Sequence, residues 1–459
     1  MINCIVRLLK ISIRNIKNVN NGTITFKNNG NIKKDLKLKK ADILGIYGQN
    51  GSGKTALVEA MNILQNLLRG EKLSEKISGL ITSGEKECII ETDFYIEFKE
   101  RKYLAWYEFC LEEIKDTVVV SREKLSYSLL EEGNKWKAKS KLIDYSYKDK
   151  DFFKPAYRHT EITSCNKDAF LGLSVAKELS KKGATSFIFS EETRNVLVSS
   201  LKGKHETIAI TNCLKYFAKM NLYIITNEQT GIIDSSYLLP FNIRVNQKGS
   251  VVLGNVPIKL FDTFILPQEI YDTFSLVIKQ INIVLKTLIP GLSLEIFEYN
   301  KSYISEKETG VQLELLSFRD GKKIALRNES DGIKKIISIL STIIAMYNQP
   351  AICLVIEALG SGIFEYLLGE LLEVLADGAQ GQLIFTSHNL IALEKLNKDD
   401  IVLTTANLNN RYIRFKNVKR NNNLRDFYLR GIALGGQEEV IYKETNTYEM
   451  QYALRMATK

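Results

Sequence analysis

The stretch Gly48-Gln49-Asn50-Gly51-Ser52-Gly53-Lys54-Thr55 holds the densest chemistry in the chain. Its pattern, G-x-x-x-x-G-K-[ST], suits a polyanion: glycines at 48, 51 and 53 let the backbone curl so that its N–H groups ring phosphate oxygens. Lys54 supplies a point charge for the β- and γ-phosphates of a nucleotide, and Thr55 a hydroxyl ligand for Mg2+. A second set of polar residues lies some 270 residues or more further on. Ser330 and Gly332 open a periodic apolar stretch, Glu357 closes the apolar run 351–356, and His388 follows the apolar run 382–386. Each has a bland alternative: a glycine-rich turn for the loop, an N-cap for Ser330, a cap for His388.

Context favours the chemical reading of the loop. The apolar residues 43–47 before it read as a buried strand, and 56–68 after it as a helix. Residues 328–347 form a second helix with Ser330 at its N-cap. Then come the strand 351–356 with its terminal acid, a Gly360-Ser361-Gly362 turn, a helix over 363–375, the strand 382–386, and Ser387-His388-Asn389 at the head of another helix. Strand, acid, turn, helix, strand and polar switch is the layout of a P-loop ATPase sheet. Between the two halves, residues 88–98, 103–113, 118–130 and 136–147 alternate as strands of an antiparallel sheet. Helices are expected at 167–181, 191–201 and 206–219, and a long amphipathic one at 267–288. Strands at 292–298, 311–318 and 323–326 lead back to the core. The expected organisation is an N-terminal lobe (1–150), an inserted, mainly helical subdomain (151–265), a C-terminal lobe (266–410), and a C-terminal strand with helices (411–459).

At 459 residues the chain can bury a large core. Its longest apolar runs fall short of the roughly 20 residues that span a bilayer, and no signal-peptide pattern opens it, so a cytoplasmic protein is expected. The six cysteines form no C-x-x-C pair, and three histidines are too few for a histidine-rich metal nuclease site. The net charge of +10 is concentrated: residues 1–40 carry ten Lys/Arg against one acid, Asp35. A second basic run holds Arg411, Arg414, Lys416, Lys419, Arg420 and Arg425. Such clusters attract nucleic acid by neutralising phosphates. Solvated lysines on strand edges and a loop explain them equally, since no aromatic residues interleave with the lysines at 27–40.

Taken together, the order of loop, insertion, S-x-G helix, acid-ended strand, G-S-G turn and Phe385-Thr386-Ser387-His388-Asn389 resembles the ABC-type ATPases of the RecF, SMC and OLD group. The opening Ile11-Ser12-Ile13-Arg14-Asn15-Ile16-Lys17 is similar to that group's first strand and turn, which brings Asn15 into the expected nucleotide site. The subgroup it resembles is the stand-alone, AAA15-like ATPases of bacterial anti-phage systems. The resemblance implies an ABC-type P-loop head that binds ATP and Mg2+, with Thr55 and Glu357 on the metal and His388 on the γ-phosphate. It also implies a homodimer in which Ser330 and Gly332 of one head complete the other's site. A separate nuclease or toxin is the implied effector, because the roughly 70 residues beyond His388 hold no acidic D-x-D cluster. A RecF-like DNA repair ATPase and an ATP-binding scaffold without useful hydrolysis are the alternatives.

One departure bears on mechanism. The family pattern ends this strand in Asp-Glu, whereas this chain has Glu357-Ala358. Glu357 still reaches a metal-bound water, but Ala358 cannot take a proton from water. Loss of a positioned base removes about 10²–10⁴ in rate. The chain is therefore expected to bind ATP far better than it cleaves it. Glu365, on the next helix, is the alternative acid.

Overall fold

A computed structural model describes residues 4–35, 38, 41–115, 117–165, 167–201, 205–227, 238–247, 250–260, 262–305, 308–416, 418 and 423–457. Its centre is a six-stranded sheet in the spatial order Tyr412–Ile413, Ile401–Thr404, Asp42–Tyr47, Gln382–Thr386, Cys353–Ile356 and Leu222–Ile225. All neighbours are parallel except Tyr412–Ile413, which is antiparallel to Ile401–Thr404. The inner strands read as unbroken apolar runs because both faces of this sheet are covered. Leu44, Ile46, Val355 and Ile384 enter one buried cluster with the helix Lys54–Arg69 and the N-terminal sheet. Their alternates Ile43, Leu354, Ile356 and Leu383 enter a second cluster with Gln268–Leu288, Asp331–Asn348 and Glu365–Gly378.

The N-terminal lobe is a second, antiparallel sheet of six strands, ordered Val19–Thr25, Cys4–Ile16, Glu87–Phe98, Arg101–Ile114, Thr117–Leu129 and Ser140–Ser146. The two sheets are joined by a buried polar knot. The Gln382 side chain bonds both backbone groups of Leu8 and donates to Asp42, which also accepts from Asn28. Arg7, itself buried, donates to the Gln380 carbonyl beside them. Burial raises the Asp42 pKa, and the Arg7 charge opposes that rise.

The helices expected at 167–181, 191–201 and 206–219 form as Lys167–Gly183, Glu191–Ser200 and Glu206–Tyr216, with a further one at Ala156–Cys165. They are anchored to the N-terminal sheet through buried Glu123, which accepts from the Tyr107 and Ser186 hydroxyls and from the Phe187 and Ile188 amides. The helical character of 151–265 does not extend to its end. Leu222–Ile225 pairs with Cys353–Ile356 as an edge of the central sheet, and Leu238–Gln247 with Ser250–Lys259 forms a hairpin. A second correction concerns His388. The polar residues after Gln382–Thr386 do not head a helix directly, because the only helical turn there is Ala392–Lys395. Asn389 instead caps a tight turn, accepting from the Ile391 amide. Among the described residues no helix is long and apolar enough to cross a membrane.

Candidate nucleotide site

The loop leaves Asp42–Tyr47 and enters Lys54–Arg69 with its glycines in left-handed geometry, at φ 154° (Gly48), 72° (Gly51) and 94° (Gly53). Crowding adds to the requirement at two of them. A Cβ at Gly48 would stand 1.7 Å from Thr404 Oγ1, and one at Gly53 2.7 Å from Val19 Cγ2. Lys54 is folded back over the loop, donating to the carbonyls of Gly48 at 2.8 Å and Gln49 at 2.9 Å. Burial pushes its pKa down to about 8, with the Glu357 carboxylate pulling the other way. Ser52 is buried and donates to the Gln49 carbonyl at 2.6 Å; Asn50 is exposed, and the Gln49 side chain accepts from the Lys443 amide at 2.6 Å.

Thr55 and Glu357, 302 residues apart, meet at 2.6 Å, hydroxyl to carboxylate oxygen. The second Glu357 oxygen accepts from the Asn227 amide at 3.0 Å. A buried carboxylate beside a hydroxyl, both next to the loop lysine, is a fit for Mg2+ with a phosphate on its far side. Ala358 follows in left-handed geometry (φ 50°), with its N–H on Thr386 Oγ1 at 2.9 Å and its carbonyl accepting from Lys335 Nζ at 2.6 Å. Glu365, the alternative acid, leans towards Arg425, 4.0 Å away. His388 is exposed, close enough to Lys54 that the lysine's charge, after burial, lowers its pKa. A neutral imidazole is the form able to donate to a phosphate at neutral pH without already being charged.

Ser330 is the N-cap of Asp331–Asn348, as its position in the sequence suggests, and is exposed. Gly332 is buried against the same chain's G-S-G turn, where a Cβ would stand 2.0 Å from the Gly362 carbonyl oxygen. Asn15 is not brought to the loop. Its amide turns to Glu85 and to the Glu87 carbonyl, both at 3.3 Å. In the turn that follows its strand, Asn18 does reach the loop, donating to the Gly51 carbonyl. Tyr412 reaches it from the other side, its hydroxyl donating to the Gly53 carbonyl at 2.7 Å. Neither carried a local signal, since each is defined only by a contact across the fold.

Eight of the sixteen basic residues in the two clusters have partners or are buried inside the fold. Arg14 pairs with Glu91, Lys17 with Glu59 and Lys27 with Asp400, while Arg7 is buried. In the second run, Arg411 is buried, Arg414 donates to the carbonyls of Asp399, Ile401 and Thr25, Lys416 pairs with Glu438, and Arg425 with Glu394. The side chains of Lys33 and Lys34, and residues Lys37, Lys39, Lys40, Lys419 and Arg420, lie outside what the structure describes. Among the described residues no group of His, Cys, Asp and Glu forms a separate metal site.

A parallel sheet, a glycine loop with lysine at a helix start, and an acid at the end of the neighbouring-but-one strand make a P-loop α/β nucleotide fold. No family model matches the chain. Among curated proteins, the DNA replication and repair protein RecF of Deinococcus radiodurans is 34% identical over 88 residues, which is 19% of this chain and 20% of RecF. The match thus spans about a fifth of that relative's length. Among solved structures, an SMC head bound to the C-winged helix domain of ScpA is 13% identical with a TM-score of 0.41, covering 89% of this chain and 98% of that one. The SMC head domain from Thermotoga maritima is 13% identical, covering 89% and 99%, at 0.37. The recombination mediator protein RecF is 15% identical, covering 86% and 97%, at 0.35. At these scores the likenesses carry no argument about what this chain does.

Proposed function

We propose that the chain is an ATP-binding head with slow hydrolysis, which associates with a second copy when ATP is bound and thereby gates a separate effector, a nuclease or toxin. The observation that supports it is the meeting of Thr55 and Glu357 beside Lys54, with alanine at the next position. Thr55 and Glu357 would hold Mg2+, which would neutralise phosphate charge. Lys54 would leave the Gly48 and Gln49 carbonyls for the phosphates, and the loop amides would ring them. His388 would meet the terminal phosphate. With no base at 358, bound ATP would outlast the time needed for assembly. The exposed Ser330 and the positive end of its helix would face the nucleotide of the other copy.

A second reading, a RecF-like ATPase acting on DNA, is favoured by the 34% identity to a DNA replication and repair protein. The burial of Arg7 and the ion pairs of Arg14, Lys17 and Lys27 count against it. Light scattering with and without ATP·Mg2+ tests the first reading: the mass should double with ATP, and Ser330→Arg should abolish doubling while leaving ATP binding intact. Duplex binding tests the second. A log–log salt slope near −0.9 per phosphate contact, flattened by charge reversal at Lys33, Lys34 and Lys37, would establish it; absence of binding at low salt would remove it.

A further inference from the structure

The phosphate loop works only if its amides point inward, so its carbonyls must be held outward. Asn18 and Tyr412 hold two of them, at Gly51 and Gly53. Beside them lies Arg411, 4% exposed. Its Nη1 donates to the Thr405 carbonyl at 2.6 Å and its Nη2 reaches the Gly51 carbonyl at 3.5 Å, while Nε has no partner. Arg411 lies directly against the loop: its Cγ and Nε are 3.2 and 3.4 Å from where a Gly53 Cβ would be.

Among the described residues the charge of this guanidinium has no counterpart. The other arginine buried as deeply, Arg7, sits in the field of Asp42, and Arg414 in that of Asp399 and Asp400. Among the described residues the ionisable group whose charge acts on Arg411 is Tyr412, and no carboxylate pairs with it. Both of its acceptors are neutral carbonyls. An unpaired buried cation is strongly disfavoured unless something anionic is nearby in the working state. The loop that Arg411 underlies is the place where a polyanion would come.

We propose that Arg411 is a positioning residue of the nucleotide site, holding the Gly51 carbonyl outward and leaving beneath the loop a buried positive charge that bound triphosphate compensates. This rests on the reading of the loop as a nucleotide site. Arg411 acts through the loop, without touching the nucleotide. Its contribution grows with the number of phosphate charges, so it favours ATP over ADP.

The test uses the full chain with Arg411→Met and Arg411→Lys, measuring ATP and ADP dissociation constants with Mg2+ by titration calorimetry and melting without nucleotide. Arg411→Met should weaken ATP about tenfold, equivalent to about 1.4 kcal/mol, and ADP less, so the ATP preference falls. Its nucleotide-free melting temperature should stay level or rise, because an uncompensated charge has left the interior. Arg411→Lys, which keeps the charge, should recover most of the ATP preference. Should Arg411→Met not fold, Arg411→Gln, which keeps a donor for the Thr405 carbonyl, carries the same expectation. An unchanged ATP-to-ADP ratio in the neutral variant would overturn the inference, as would equal losses for both nucleotides with a lowered melting temperature. Those results leave the site assignment standing; a wild-type chain that binds neither nucleotide removes the site itself.

Discussion

Replacing Ala358 by glutamate should turn a slow ATPase into a faster one, and the local structure allows the change. Ala358 already occupies the left-handed region, at φ 50°, so the roughly 1–2 kcal/mol that this conformation costs an L-residue is present before the substitution. Its N–H and carbonyl are fixed by Thr386 and Lys335, so the new side chain starts from a fixed backbone. It would emerge next to Glu357, whose oxygens are already taken by Thr55 and the Asn227 amide. A positioned base is worth about 10²–10⁴ in rate, or about 3–5 kcal/mol of barrier. Single-turnover phosphate release from pre-bound ATP measures the chemical step, with light scattering on the same samples to follow assembly. Ala358→Glu, and more so with Glu357→Asp, should raise the rate by at least about a hundredfold and shorten the life of the ATP-bound assembly. If it binds ATP normally and hydrolyses no faster than the wild-type chain, the base comes from elsewhere and the account of Ala358 is wrong.

Three further outcomes follow from the same geometry. With Lys54 held down near pH 8, ATP affinity should fall by up to tenfold per unit above that pH, because binding then requires proton uptake; titration from pH 7 to 10 measures it. The same lysine should make the nucleotide-free fold gain stability as pH rises from about 8 towards 10.5, where the unfolded chain binds the extra proton. Gly332→Ala should cost about 1–3 kcal/mol in urea denaturation, because its Cβ would meet the Gly362 carbonyl and the backbone must shift.

Legibility in the sequence followed the range of the determining interaction. The loop, its strand and its helix were readable because glycine, lysine and apolar period are local, and Ser330 was readable as a cap for the same reason. The antiparallel strands announced themselves by alternation. Leu222–Ile225 did not: four apolar residues after a helix look the same whether they continue it or join a parallel edge, and only Cys353–Ile356 decides. Arg411 and Arg414 read as surface charge from composition, yet the first lies under the phosphate loop and the second holds strand-end carbonyls. Asn15 lies near the end of the strand Cys4–Ile16 and Asn18 in the turn that follows, and the direction of each amide is set by what stands opposite, Glu85 with Glu87 for one and Gly51 for the other.

The central claim is that Gly48 to Thr55 bind ATP, and melting with ATP·Mg2+ tests it directly. At a hundredfold excess over the dissociation constant the wild-type chain should gain about 2.7 kcal/mol. With an unfolding entropy of about 2.1 cal/mol/K per residue over 459 residues, that is a rise of about 3 °C. Lys54→Ala should show no rise. An equal rise in the Lys54→Ala chain, or none in the wild type, would contradict the account.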